Sequence, residues 1–366
     1  SHAALSMWAM GINQAMNGTV TSSAIINLHL ATGHIARPGA GPFSLTGQPN
    51  AMGGRETGAM SNLLGAHREL GNEDDRRAFE SLWNSGPISP KPGLSAVDLF
   101  EAAADGALDV LWIACTNPAV SMPDANAVHA ALERTPFVIV QDIVGTTDTA
   151  HFADLLLPAA GWGEKAGTVT NSERRITRIK AAISAPGMAL PDWQIVCGVA
   201  KELGYPEQFG YDSPNEIFAE HAESTRGRDC DVTGATSQRL EVGPVQWPIA
   251  EGSEEGTERL YTDGAFPTKS GKAQFVAAEK VLEHETGSDT FPMLLTTGRM
   301  RDQWHTMTRT GRVPELMQHA PVPELQISEA DANAYDVETG DELVVENDRG
   351  EFRMKVEVSD ACLPGM

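Results

Sequence analysis

The 366-residue sequence predicts an α/β protein, with open parallel-sheet layers followed by a β-rich carboxyl-terminal domain. The first half of that reading rests on DVLWIAC (109–115) and PFVIVQD (136–142), short apolar runs that flank a helical stretch. Two buried-type strands joined through a helix form a βαβ unit, which implies parallel pairing and a right-handed crossover. The second half rests on DELVVENDRGEFRMKVEV (341–358), where Phe352, Met354, Val356 and Val358 alternate with polar residues after a turn at 347–350.

In chain order, SHAALSMWAMG lacks the basic start and long apolar centre of a secretory signal. GPFSLTGQPNAMGGR (41–55) is rich in glycine and proline, carries no acid and closes on a single arginine. Glycine and proline disfavour helix interiors and no alternation marks a strand, so a shaped loop is expected there. Ser95 with Asp98, Ser213 with Glu216 around Pro214, and Ser328 with Asp331 have the spacing of helix-start capping boxes. Helices are expected over 121–133, over 147–153 and in DWQIVCGVAKELG (192–204), while DLLLPAA (154–160) extends the sheet. Residues 223–264, with Gly, Thr, Ser and acids in no clear period, read as a surface excursion or linker. FPMLLTTGR (291–299) reads as a strand running into a turn. These signals divide the chain into 1–92, 93–205, 206–286 and 287–366.

Lys and Arg number 27 against 50 Asp and Glu, a net charge of −23, which argues against binding nucleic acid or anionic membrane surfaces. An anionic substrate must therefore be attracted locally. Cys115, Cys197, Cys230 and Cys362 lie far apart, without CxxC or zinc-like spacing, as expected of reduced thiols in a cytoplasmic chain. His2, His29, His67, His151 and His221 also lack metal-ligand spacing and are expected in core or surface roles, so no metal ligand is assigned. The Asn17-Gly-Thr19 sequon matters only in a secreted protein, which nothing supports. No apolar run reaches the roughly 18 residues of a membrane span. GxxxxGK[ST], HExxH and GxSxG are absent, and GPGAGPFS has no strand-like run directly before it as a dinucleotide fingerprint requires.

Ligands of open parallel sheets bind outside the carboxyl ends of the strands. Thr116, Asn117 and Pro118 follow the first strand and Gln141 and Asp142 the second, so they face that crevice or serve as ordinary turn residues. An aspartate there can accept paired N–H bonds from a base edge such as guanine, and Thr146, Thr147 and Thr149 add hydroxyls beside the next helix. GTVTNSERR (167–175) reads equally as the lining of an anionic cofactor and as a salt-bridged corner. In TTGRMRDQWHT (296–306), an arginine, a tryptophan and a histidine suit a flat heteroaromatic ligand with phosphates, or a core.

WAMGINQ (8–14), NLHLATGHIARPGAGPFSLTGQPNAMGGRETG (27–58), CTNPAVSMPDAN (115–126), QDIVGTTDTAHFADLLLPAAGWGEKAGTVTNSERR (141–175) and TTGRMRDQWHTMTRTGR (296–312) together resemble the molybdopterin oxidoreductase family of the dimethyl sulfoxide reductase type. Within it they are most similar to the assimilatory nitrate reductase branch. The resemblance implies molybdenum on two pterin guanine dinucleotides, a double-psi barrel-like last domain, and reduction of nitrate to nitrite by two-electron oxygen-atom transfer. It implies Gln48 and Arg55 at the molybdenum pocket as catalytic residues, and Met10, Gly11, Asn13 and Gln14 near a pterin. Thr116, Asn117, Gln141, Asp142, Thr147 and Asp154 would serve a dinucleotide site. Asn171, Ser172, Arg174, Thr297, Gly298, Arg299, Trp304 and His305 would approach pterin or phosphate.

No cysteine has the context of the family's cluster motif or molybdenum ligand, so the chain is expected to be a carboxyl-terminal fragment, inactive alone, whose [4Fe-4S] cluster belongs to a missing amino-terminal part. Electrons would come from ferredoxin or an NAD(P)H-linked flavoprotein. Ala36 stands where the family commonly has glycine. The alternatives are a periplasmic nitrate reductase, a formate dehydrogenase, or a noncatalytic nucleotide-binding module.

Overall fold

A computed structural model describes residues 3–277, 281–283 and 286–366, which leaves His2 outside the described residues. The chain divides into two units, Ser1–Leu282 and Glu283–Met366. In the first, β1 (Leu5–Trp8) leads through α1 (Met10–Asn13) and α2 (Gly18–Ala31) to β2 (Gly41–Ser44), which pairs with it in parallel, Trp8 opposite Ser44. His29 on α2 is a core histidine, 2% exposed and bonded to the Ser6 hydroxyl.

The stretch 41–55 is not a loop throughout: β2 opens it and α3 (Ala51–Glu56) closes it. Tertiary contact overrides the weak propensity of its Gly-Gly pair. Asn50, ahead of α3, accepts the Thr170 backbone N–H at 2.8 Å, and a Cβ on Gly53 would lie 2.2 Å from that same Asn50 oxygen. A short hairpin, β3 (Leu63–Leu64) and β4 (Arg68–Glu69), leads into α4 (Glu73–Trp83), which Asn72 caps.

The predicted parallel sheet is present. Ser95 caps α5 (Ala96–Ala104) by accepting the Asp98 N–H, and β5 (Val110–Ala114) follows. The helix expected over 121–133 is two, α6 (Pro118–Ser121) and α7 (Ala125–Arg134). Met122 is extended ahead of Pro123, as the proline ring requires, and Asp124 restarts the helix by capping Ala127. β6 (Phe137–Asp142) and β7 (Leu155–Pro158) complete the order β5-β6-β7. In place of a helix over 147–153 there is one 3-10 turn, Thr149–Phe152, because Thr147 and Asn117 side chains take the N–H groups of Ala150 and Thr149. Leu111, Ile113, Val138 and Val140 form the core of this layer with Phe100, Ala103, Val128 and Leu132.

β8 (Gly167–Thr170) and β9 (Arg175–Ile179) form an antiparallel pair, followed by α8 (Asp192–Glu202) and α9 (Pro214–Ser224). α9 starts where expected, but the Ser213 hydroxyl donates to Glu216 while the Glu216 carboxylate accepts the Asp212 N–H. Residues 223–264 are no surface excursion. They carry α10 (Ser237–Val242) and β10 (Val245–Gln246), the latter paired with β9, and they bury Cys230, Val232, Leu240, Trp247 and Ile249 in one cluster with Ile176. Side-chain bonds such as Val232 N–H to Thr225 Oγ1 replace regular ladders there, which is why no period marks the segment.

In the second unit, FPMLLTTGR forms no strand, although Met293 packs against the core made by Ile327, Ala332 and Val356. α11 (Pro314–Met317) precedes β11 (Leu325–Ile327), and Ser328 caps α12 (Glu329–Tyr335) as its spacing predicts. β12 (Glu342–Asn347) and β13 (Gly350–Val358) form the expected hairpin, with β11 parallel to β13. Val356 is its buried anchor, whereas Phe352 is 38% exposed. Among the described residues no helix is long and apolar enough to cross a membrane.

Candidate active and cofactor-binding site

Two groups of parallel strands in the first unit end in polar turns. At the carboxyl ends of β1 and β2, the Leu45 N–H donates to the Trp8 carbonyl at 2.7 Å, which keeps the two exits side by side. Asn13 ties them further, accepting from the Trp8 indole at 2.9 Å and donating to the Ser44 hydroxyl at 3.0 Å. Met10, Gly11, Asn13 and Gln14 are exposed here, as are Gln48 and Arg55 beyond β2. Arg55 lies in the last turn of α3, which the Asn50–Thr170 bond fastens to β8, and its guanidinium has no partner among the described residues.

At the ends of β5 and β6, one carboxylate that sequence reading missed organises the crevice. Asp192, heading α8, accepts from Gln141 Nε2 at 2.8 Å and from Cys115 Sγ at 3.5 Å, and it pairs with Lys165. Burial pushes the Asp192 carboxyl up, but the hydrogen bonds from Lys165, Gln141 and Cys115 outweigh it and hold the group below the usual range. Desolvation of its sulfur and the neighbouring Asp192 charge push the Cys115 thiol up to about 11, so it stays protonated near neutral pH. The only sequence sign of Asp192 was an acid in the first turn of a helix.

Gln141 is 2% exposed, and its Oε1 is buried without a hydrogen-bond partner. Asp142, half-buried beside it, accepts the Val144 N–H at 3.2 Å and keeps acceptor capacity. An orphaned amide oxygen next to a carboxylate fits a ligand edge that donates N–H groups, as guanine does. Thr116 is exposed at the same edge. Asn117 and Thr147 are buried and brace the turn, Asn117 by accepting from Thr149 N–H and Oγ1. Asp154 lies apart: its carboxylate accepts the Val138 N–H at 2.7 Å, at the opposite end of β6.

In the 167–175 turn, Asn171 Oδ1 accepts the N–H groups of Glu173 and Arg175, and Ser172 is half-buried. Arg174 faces inward. It donates to the carbonyls of Trp247, Thr257 and Glu258 and lies over the Trp247 ring at 5.2 Å. Within the second unit, Thr297, Gly298 and Arg299 are exposed, and Trp304 and His305 sit side by side with ring centroids 4.4 Å apart. An open groove of about 460 Å³ in the first unit is lined by Thr233, Thr236, Arg239 and Glu251, and by none of the candidate residues.

Paired parallel strands with polar groups beyond their carboxyl ends define the class of open-sheet α/β proteins, whose ligands bind at the strand ends. Within that class the chain belongs to the molybdopterin oxidoreductase family: the family's sequence pattern matches residues 1–202, and the pattern described as "Molydopterin dinucleotide binding domain" matches 293–366. The chain is 43% identical to a nitrate reductase of Klebsiella oxytoca, over 99% of this chain and 42% of that protein. It is also 43% identical to one of Synechocystis sp., over 99% and 52%. It thus spans about half the length of these curated relatives. The solved structure of acetylene hydratase from Pelobacter acetylenicus shares the fold, with a TM-score of 0.55 at 14% identity over 81% of this chain and 42% of that one.

Proposed function

We propose that the protein containing this chain reduces nitrate to nitrite. Nitrate, two electrons and two protons give nitrite and water, with molybdenum on two pterin guanine dinucleotides supplying the oxygen-atom transfer when bound. The observation that carries this reading is Arg55, an exposed guanidinium without a partner among the described residues, fixed by α3 and the Asn50–Thr170 bond. A planar anion matches a guanidinium fork, and a chain of net charge −23 needs such a local attractor. Gln48 would orient the same anion from the loop before α3.

Gln141 Oε1 and the Asp142 carboxylate would accept from a guanine edge, with Thr116 beside them and Asp192 and Lys165 holding Gln141 in place. Met10, Gly11, Asn13, Gln14, Asn171 and Ser172 remain candidate pterin contacts in the first unit, and Thr297, Gly298, Arg299, Trp304 and His305 form a separate candidate set in the second. Asp154 and Arg174 stay in the candidate set with part of their bonding capacity already given to the backbone, Asp154 to Val138 and Arg174 to Thr257 and Glu258. The division of the first unit at 92/93 and 205/206, a cytoplasmic assimilatory role, a [4Fe-4S] cluster elsewhere in the protein, and supply of electrons by ferredoxin or an NAD(P)H-linked flavoprotein belong to the same reading.

The test is Arg55→Ala in the complete protein. Loss of a charge-assisted bond of about 1.5–3 kcal/mol predicts at least about tenfold slower nitrate turnover per molybdenum at normal metal content. Equal turnover at equal loading would reduce Arg55 to a brace of the loop.

A further inference from the structure

We propose that His67, Asp229 and Cys230 form a three-ligand site for a borderline-soft divalent cation, zinc foremost, which bridges the β3–β4 hairpin and the 223–264 segment. The sequence separates His67 from the other two by about 160 positions, and the fold brings one nitrogen, one oxygen and one sulfur donor within 4.8 Å of one another. That mixture suits zinc, whereas magnesium and calcium take oxygen ligands.

The distances within the cluster agree with this assignment. His67 Nδ1 lies 3.3 Å from both carboxylate oxygens of Asp229. A charge-assisted hydrogen bond between such groups would be about 2.7–2.9 Å. With zinc–nitrogen and zinc–oxygen bonds of about 2.0–2.2 Å, the tetrahedral N···O edge is about 3.3–3.5 Å. The sulfur must move by about an ångström at most to complete the set. A carboxylate and a thiolate carry two negative charges, which a divalent cation neutralises, and the Cys230 proton leaves to solvent on binding.

The frame is already tight. Ala66 and His67 both hold left-handed backbone, φ 55° and 57°, without being glycine, a strain that persists only where the surroundings fix it. Arg228 donates to the His67 carbonyl at 3.4 Å, and Arg68 to the Ser224 carbonyl at 2.6 Å. Both arginines are paired with Asp75, at 3.7 and 3.8 Å, which offsets their repulsion of a cation. The Trp247 ring stands edge-on to His67 at 6.1 Å and limits its rotation. An independent sign is Glu56: it is 2% exposed, its Oε1 has no hydrogen-bond partner, and it lies within electrostatic reach of both His67 and Cys230. A buried carboxyl oxygen without a hydrogen-bond partner is a group that a nearby cation would stabilise. The His67 and Asp229 side chains are 27% and 26% exposed, which leaves a path for the ion and room for water as fourth ligand.

The test uses the complete protein, incubated with zinc chloride and freed of excess metal, with zinc, molybdenum and iron counted separately. This keeps the outcome apart from whether the protein reduces nitrate. About one zinc per chain is expected. Cys230→Ser and His67→Ala should each retain at least about tenfold less, and Cys362→Ser should retain it all. Zinc-edge X-ray absorption of the unsubstituted protein should show a single sulfur among nitrogen and oxygen neighbours, a readout that needs no variant to fold. Absence of zinc, zinc retained in both the Cys230 and His67 variants, or a zinc shell without sulfur would each overturn the site.

Discussion

Replacing Glu56 by glutamine is expected to stabilise the protein above neutral pH and to leave it nearly unchanged in acid. Burial pushes this carboxyl from 4.5 up to about 7, against the opposing pull of the Trp247 indole, His67, Thr170 and Arg174. Below 4.5 the group is protonated in both the folded and the unfolded chain. Between 4.5 and about 7 the folded chain holds a proton that the unfolded chain has released, so stability falls as pH rises. Above about 7 the folded protein carries the whole penalty of a buried carboxylate, about 3 kcal/mol for the gap between those two values. Glutamine has a similar shape and no charge at any pH, so the variant lacks that penalty. Denaturant unfolding of both proteins from pH 4 to 8.5, in chelating buffer so that no cation at His67 and Asp229 biases the carboxylate, gives the difference directly. A gap that grows by about 3 kcal/mol across this range is expected. A gap that does not change with pH would show that Glu56 is not the buried acid the structure makes it.

Trp247→Ala should cost about 3–5 kcal/mol in denaturant unfolding, since Trp247 is 4% exposed in the cluster with Ile176, and a cost under about 1 kcal/mol would return 223–264 to the surface. Asp142→Ala should lower the guanine nucleotide retained by the complete protein. Asp154→Ala should leave that content unchanged while removing about 1 kcal/mol of stability through the lost bond to Val138; the opposite pattern in bound nucleotide would move the dinucleotide site to the other end of β6.

The parts of the fold legible in the sequence are those whose signal is local. Val110–Ala114 and residues 137–140 are continuous apolar runs of strand length, and Ser95 and Ser328 cap helices through bonds to residues three positions on. The illegible parts depend on distant partners. α3 forms against its own propensity because Asn50 is anchored to Thr170, 120 positions later. The 223–264 segment buries Cys230, Val232, Trp247 and Ile249 singly between side-chain bonds, so neither a period of 2 nor of 3.6 emerges. FPMLLTTGR has strand composition but pairs with no strand among the described residues, which composition alone cannot foresee.

The candidate site divides in the same way. Gln141 and Asp142 follow directly from the rule about strand ends. Arg174 and Asp154 have suitable residue types, and only the coordinates reveal that part of their bonding capacity goes to the backbone of Trp247, Thr257, Glu258 and Val138. Asp192 and Lys165 carry no motif, and their role emerges only where α8 meets the ends of β5 and β6.

The most direct measurement of the central claim is the molybdenum and guanine nucleotide released on denaturation of the complete protein, each purification fraction being assayed for nitrate reduction. About one molybdenum and about two guanine nucleotides per chain, in the fractions that reduce nitrate, are expected. Nucleotide without molybdenum, or nitrate reduction in fractions holding neither, would contradict the account.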